Sequence, residues 1–166
     1  PVKSSLVSEH TMHREPFVVT ADFLRRLIAH QGKLVAVGTT SVRTLESLYY
    51  IGVNCIEKGY PHDVGQWDPY IRSYGYSLTE ALNAIISYMD AKGLEQLQAG
   101  TRIIIVPGYD FKIVDVLVTN FHQPQSTLLL LISAFLKGEW KQVYDYALSN
   151  DFRFLSYGDS SILFRE

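Results

Sequence analysis

The sequence predicts an α/β fold, a mixed sheet flanked by helices, and three observations carry that expectation. Apolar runs of strand length alternate with segments whose apolar residues recur at helical spacing. Gly, Ser and Thr punctuate the junctions in the pattern of helix starts and stops. The runs Arg102–Val106 and Ile113–Val118 are joined by the turn Pro107-Gly108-Tyr109-Asp110, which reads as a hairpin and argues against a wholly parallel sheet. At 166 residues the chain is long enough for a core of its own, and residues 1–166 read as a single α/β domain.

The elements follow in order. Thr20 caps a helix from Ala21 to about His30, with Phe23, Leu24, Leu27 and Ile28 on one face and Gly32 as a stop. Leu34 to Val37 is a short strand. Gly38 turns the chain, and Thr39 or Thr40 caps a helix through about Tyr50, with Val42, Leu45, Leu48 and Tyr49 inward. Val53 to Ile56 reads as a further strand. Glu57 to Tyr76 is rich in Gly, Pro and Tyr without a helical period, and reads as a long loop. Ser77-Leu78-Thr79-Glu80 is a capping box, and the helix behind it ends near Gly93. After the hairpin come helices near Ser126–Leu136 and Trp140–Ser149, then a strand near Arg153–Ser156.

Composition narrows the function classes. Hydrophobic residues make up 47% and charged residues 19%, a globular balance. Fifteen Lys and Arg against 17 Asp and Glu give a formal charge of −2, which argues against general nucleic-acid affinity but leaves room for a local basic patch. One cysteine, Cys55, cannot form an internal disulfide; it reads as a small buried residue and fits a reducing compartment. No signal peptide is visible, and the longest apolar run, Leu128 to Ile132, is too short to span a bilayer. A chain starting at Pro1 without Met reads as a piece of a longer protein.

Chemistry concentrates in a few segments. Asn120-Phe121-His122-Gln123-Pro124-Gln125-Ser126-Thr127 holds polar groups between an apolar strand and an apolar helix, where a rigid scaffold presents a loop. An amide, an imidazole and the free N–H groups of the next helix could bind a polar substrate together; alternatively Ser126 only caps that helix. Gly38-Thr39-Thr40-Ser41-Val42-Arg43 passes from strand to helix. Its N–H groups, hydroxyls and guanidinium favour an anion, although neither a Walker loop nor a dinucleotide fingerprint is complete; capping with a surface arginine is the plainer reading. His10 and His13, with Glu15 close by, suit proton transfer or substrate orientation. A zinc site there would need a third ligand, such as His62 or His122. Tyr157 and Asp159 flank a glycine turn, while Phe152 and Phe154 fit one strand face. The Glu57–Tyr76 loop carries Trp67, Arg72, His62 and several tyrosines. These suit stacking on RNA bases, or packing onto the domain itself.

Five segments in this order, His10–Glu15, Val37–Ser47, Pro107–Phe111, Thr119–Thr127 and Phe152–Asp159, resemble the S-adenosylmethionine:tRNA ribosyltransferase-isomerase family of queuosine biosynthesis. The resemblance runs from about Pro1 to the end and covers the C-terminal half of the family's length. It implies an α/β domain whose N-terminal half and inserted small β-barrel lie outside these residues, so that these residues alone would not turn over. It implies a cytoplasmic enzyme that moves the ribosyl moiety of S-adenosylmethionine to 7-aminomethyl-7-deazaguanine in tRNA, giving epoxyqueuosine, without a metal. Such a reaction needs a base beside the sulfonium and an acid for adenine departure. His13, Glu15, His122 and Asp159 have suitable proton chemistry, with roles unassigned. Gly38, Thr39, Thr40, Ser41 and Arg43 would hold cofactor or phosphate oxygens; His10, Asn120, Ser126, Thr127 and Tyr157 complete the binding set. The chain departs from the family pattern at Arg14, where serine is common. It departs again at Gln123 and Gln125, where leucine and lysine are usual. Those departures keep open a non-catalytic RNA-binding or scaffold relative; a hydrolase with a histidine-bound metal is a third reading.

Overall fold

The structure is a computed structural model, and it describes residues 11–123 and 126–165. Its elements in chain order are β1 (Glu15–Thr20), α1 (Ala21–Ala29), β2 (Val35–Val37), α2 (Thr39–Lys58), α3 (Asp68–Ile71), α4 (Leu78–Lys92), β3 (Gln96–Thr101), β4 (Val116–Asn120), α5 (Thr127–Phe135), α6 (Trp140–Ser149) and β5 (Ser160–Phe164). It is a mixed α/β structure with helices flanking the sheets. The described residues group into two compact units. One is built of Lys33–Val42 and 104–165, the other of Met12–Gly32 and Arg43–Ile103.

The first unit is organised by β4. It pairs parallel with β2 on one side and antiparallel with β5 on the other. Ala36, Leu117 and Leu163 align across the three strands and are buried, while Val35, Val37, Ile162 and Phe164 on the other face are exposed. This is the period of two that a sheet with one covered face requires. Ser126 caps α5 by accepting from the Leu129 N–H at 3.2 Å, as the sequence suggested. That helix buries Leu129, Leu131, Ile132, Ala134 and Phe135. Phe121, just past β4, makes ring contacts with Tyr144 of α6 and with Phe152 and Phe154.

The second unit pairs β1 with β3, antiparallel, from Glu15↔Thr101 to Thr20↔Gln96. Neither strand was expected, because Pro16 and Gly100 punctuate them and Gln96 and Gln98 give little apolar signal. Thr20 caps α1 by accepting from the Phe23 N–H, and α4 has its full capping box and a left-handed Gly93 at the end.

Three expectations are overturned. Val53–Ile56 is not a strand; α2 continues through it to Lys58. Residues 46–53 of that helix are buried all round, so no amphipathic stripe betrays it. Gly52 within it is a contact point: a Cβ there would sit 2.2 Å from the Ala81 carbonyl oxygen of α4. Arg102–Val106 and Ile113–Val118 form no hairpin. β3 ends at Thr101 on β1, and β4 begins at Val116 between β2 and β5. Ile103, Ile104 and Ile105 are consecutive and all buried, which mimics a core strand without any ladder. Arg153–Ser156 is likewise no strand; its phenylalanines turn in toward Phe121, and the strand follows at Ser160–Phe164.

The Glu57–Tyr76 segment begins as the last turn of α2, contains the single turn α3 and is fastened to its own unit. The Tyr49 hydroxyl donates toward the carbonyls of Tyr74 (3.2 Å) and Tyr76 (2.8 Å), and Val64 bridges to Thr101.

The close approach at Gly52 yields a stability test. Gly→Ala in a helix ordinarily stabilises by up to about 1 kcal/mol. Here Gly52→Ala drives a methyl into the α4 backbone and is expected to cost about 1–3 kcal/mol instead. Chemical denaturation measures it, and an unchanged or raised midpoint would mean that the two helices separate freely.

Candidate functional site

The candidate residues fall into the two units, and each set has its own geometry. In the second unit the N-terminal segment enters through Met12, which is buried and whose N–H donates to Gln66 Oε1 at 2.9 Å. His13 is exposed beside it, and His10 lies outside the described residues. Arg14 pairs with Asp63 at 2.5 Å and its guanidinium lies over Gly100, where a Cβ would come within 2.4 Å of Cζ. That hydrogen bond holds the Asp63 carboxyl below its ordinary value. The Arg14 departure is therefore accommodated by a partner on the same unit.

Glu15 opens β1 and meets Arg43 of α2. The Arg43 guanidinium is almost fully buried, donating from Nη1 to Glu15 Oε1 at 2.5 Å and from Nε to the Ile103 carbonyl at 2.9 Å. Burial pulls the Arg43 pKa down while Glu15 opposes that shift. Arg43 Nη2 and Glu15 Oε2 are buried without a hydrogen-bond partner. Behind the pair, the Ser47 hydroxyl bridges the Arg43 carbonyl (2.6 Å) and the Thr101 hydroxyl (2.7 Å). Thr101 in turn accepts from the Ile103 N–H at 3.0 Å. Glu46, Ser47 and Thr101 are all fully buried. Ser47 and Thr101 belong to this network and were not singled out from sequence. Polar residues on a helix that is otherwise apolar and buried were the available signal. A separate groove of about 380 Å³, lined by Phe17, Val19, Phe23, Leu45 and Leu48 among others, contains none of the candidate residues.

In the first unit, Gly38 adopts φ +85°, the left-handed region that favours glycine, and its N–H donates to the Val118 carbonyl at 2.8 Å. The helix starts at Thr39, so Gly38 rather than a threonine occupies the preceding position. Ser41 directs its hydroxyl to the Val37 carbonyl at 2.7 Å. Thr40 is exposed and Thr39 is half-buried at the same helix end.

Asn120 ends β4 and donates from Nδ2 to the carbonyls of Gly158 (3.2 Å) and Asp159 (3.5 Å). The Asp159 carboxylate accepts from the Arg153 N–H at 2.7 Å and faces the Arg153 guanidinium at 3.4 Å. Those bonds keep its carboxyl below the usual range. His122 is half-buried, its Nε2 3.0 Å from Thr119 Oγ1, and its N–H donates to the Tyr144 hydroxyl at 3.0 Å. Burial pushes its pKa below the ordinary value, which favours the neutral imidazole. Ser126 and Thr127 stand at the start of α5, where Ser126 also donates to the Gln123 carbonyl at 2.8 Å. Tyr157 is 96% exposed. Gln125 lies outside the described residues. Thr119, Tyr144 and Arg153 are partners that the sequence did not flag. A neutral imidazole and a helix start offering N–H groups give this unit proton-transfer and oxygen-binding capacity.

Among the described residues no group of three or more His, Cys, Asp or Glu is placed to hold a metal ion. No helix is long and apolar enough to cross a membrane.

Comparison with known proteins places the chain. It is 38% identical over its whole length to the S-adenosylmethionine:tRNA ribosyltransferase-isomerase of Caulobacter vibrioides, covering 36% of that protein. It is 39% identical to the protein of the same name from Rhodopseudomonas palustris, again over 100% of this chain and 36% of the other. With the one from Caldanaerobacter subterraneus subsp. tengcongensis it shares 33% identity, over 98% of this chain and 38% of that protein. The chain thus spans little more than a third of the length of these curated relatives. The crystal structure of S-adenosylmethionine tRNA ribosyltransferase from Thermotoga maritima superposes with a TM-score of 0.57 at 29% identity. That match covers 89% of this chain and 39% of the other. The family profile described as "Queuosine biosynthesis protein" matches residues 1–163, and the chain belongs to that family.

Proposed function

We propose that this chain supplies part of an S-adenosylmethionine:tRNA ribosyltransferase-isomerase. In that reading S-adenosylmethionine serves as ribosyl donor and the acceptor is 7-aminomethyl-7-deazaguanine in tRNA, with epoxyqueuosine as the product. The observation that carries the reading is the family match, which is continuous across all five motif segments. The enzyme works in the cytoplasm, where its tRNA substrate is. His122 is the proton-transfer group best supported by geometry, because its burial favours a neutral ring that can accept or donate through Nε2. Glu15 and Arg43 are held on each other, so they act as a pair. Each keeps one buried atom without a hydrogen-bond partner, a donor on Arg43 and an acceptor on Glu15. Asp159 is engaged by Arg153, which suits positioning more than proton transfer. The accommodation of Arg14 by Asp63 takes away one reason for reading the chain as a non-catalytic relative. The deciding experiment is adenine release by the full-length protein from S-adenosylmethionine and substrate tRNA; release that does not depend on the tRNA would sink the proposal.

Three outcomes are expected. His122→Ala in the full-length protein lowers turnover by roughly 100-fold or more. It costs at most about 1 kcal/mol in a thermal melt, because His122 lies off the core stripe. A collapsed melting temperature would make His122 structural, and normal turnover would remove it from the site.

The second outcome is a pH dependence. The folded pKa of His122 lies below its ordinary value of 6.5. As pH falls below that value the unfolded chain takes up a proton that the folded chain refuses. The contribution is therefore fully present above the unfolded pKa and is lost toward the folded one. His122→Gln should flatten this part of the stability–pH curve, and melts across that range read it directly.

The third concerns the ion pair. Glu15→Ala removes the carboxylate to which the buried Arg43 guanidinium donates, leaving its bond to the Ile103 carbonyl, and should destabilise by about 2 kcal/mol or more. Denaturant titration checks it; a loss near zero would show that water reaches the guanidinium.

A further inference from the structure

The Phe152–Asp159 loop is an irregular segment held by hydrogen bonds as well as by the packing of Phe152 and Phe154 on Phe121. Its backbone includes Leu155 at φ +70°, four residues after Asp151 has taken φ +58°. A branched side chain in the left-handed region is strained and persists only where surrounding structure imposes it. The imposing bonds are identifiable. The Leu155 N–H donates to the Phe121 carbonyl at 2.9 Å, the Gly158 N–H to the Leu155 carbonyl at 2.9 Å and the Asp159 N–H to the Arg153 carbonyl at 2.8 Å. Asp159 clasps the Arg153 N–H, and Asn120 holds the Gly158 carbonyl from the end of β4. Gly158 lies so close to the Arg153 carbonyl oxygen that a Cβ would be 2.3 Å from it.

The side chains divide sharply. Phe152 and Phe154 turn in to Phe121, at ring distances of 5.6 and 5.3 Å. Tyr157, at 96% exposure, points away from everything in its unit. Its sequence neighbours Ser156, Gly158, Asp159 and Ser160 are small or polar, while Leu155, two residues earlier, is 46% exposed. The Arg153 guanidinium, largely exposed, stands on the same loop. A lone flat ring on a fixed backbone, with a cation on the same loop, matches one unpaired base and its phosphate. Fixing the backbone beforehand reduces the ordering cost at binding.

We propose that this loop is a rigid presenter for Tyr157, whose ring stacks on an unpaired nucleobase of an RNA substrate, and that Asp159 and Asn120 are positioning residues for it. This rests on the reading of the family's substrate as tRNA. It moves Asp159 from proton chemistry to orientation.

Fluorescence anisotropy with a labelled anticodon stem-loop RNA, against a fully paired RNA duplex of the same length, tests it on the full-length protein. Tyr157→Ala should weaken stem-loop binding by at least about tenfold, while Tyr157→Trp keeps it. Neither change should alter the melt, since the ring touches nothing, and duplex binding should hold. Asp159→Ala should reproduce the loss with Tyr157 intact, and Asp159→Asn, which keeps an acceptor for the Arg153 N–H, should restore part of it. If Asp159→Ala unfolds the chain, the Tyr157 pair decides alone. Stem-loop binding unchanged in Tyr157→Ala overturns the proposal, as does a loss shared equally by the duplex. A wild-type chain that binds no stem-loop overturns it too, and leaves the reaction to be judged by adenine release. Loss of stem-loop binding in a protein family member that releases no adenine would sustain the stacking role and count against the reaction.

Discussion

A guanidinium taken out of water must find carbonyl or carboxylate oxygens, or the fold loses several kcal/mol. Arg43 finds them on two different elements, the Glu15 carboxylate at the start of β1 and the Ile103 carbonyl just beyond β3. Because Ser47 and Thr101 lock the same helix turn to the same strand end, α2, β1 and β3 are held in one register around a single charge. The β1–β3 ladder begins at that point, with Glu15 opposite Thr101. Much of the second unit's geometry is thereby tied to one buried pair, and the pair tolerates no change of length on either side. Arg43→Lys would give up the fork that reaches both oxygens at once.

What was legible in the sequence was local. Thr20, Ser77 with Glu80, and Ser126 announced their helices because a cap acts within a few residues and leaves a fixed spelling. The mixed α/β class was legible for the same reason, through the alternation of short apolar runs with helical periods. Pairing was not. The Ile103–Ile105 run is fully buried, and so are residues 46–53 of α2 just before the rest of the Val53–Ile56 run; full burial erases the periodicity that separates strand from helix. β1 and β3 hid because a ladder supplies their stability while Pro16, Gly100 and two glutamines suppress the sequence signal.

The candidate residues show the same division. His122, Asn120 and Asp159 stood out in the sequence by their place beside strand and turn. Their partners did not: Tyr144 comes from 22 positions further on, and Arg153, though only six residues before Asp159, shows its pairing only once the loop is folded. Arg43 looked like a surface cation at a helix start, and it is instead an interior one; nothing in a single sequence distinguishes the two, because the deciding atoms are a carboxylate 28 positions earlier and a carbonyl 60 positions later. The departures at Gln123 and Arg14 also read differently by location. Arg14 has acquired Asp63 as a counterpart, whereas Gln123 lends its backbone carbonyl to the Ser126 cap, a service any residue performs.

The two units are interleaved along the chain, and this has a consequence for how the protein is made. The residues of the β1–β3 unit are complete once Ile103 has been synthesised. The other unit must wait: Leu34 meets Asp115 across 81 positions, and β5, its last strand, ends at Phe164. Closing so long a loop is slow, though the entropy of closure rises only as the logarithm of its length. On the ribosome the β1–β3 unit therefore has time to form first, and once formed it shortens the effective loop that β2 and β4 must close. Until β5 emerges, β4 carries an unpaired edge beside exposed valines, and this interval is when the nascent chain is most exposed to aggregation.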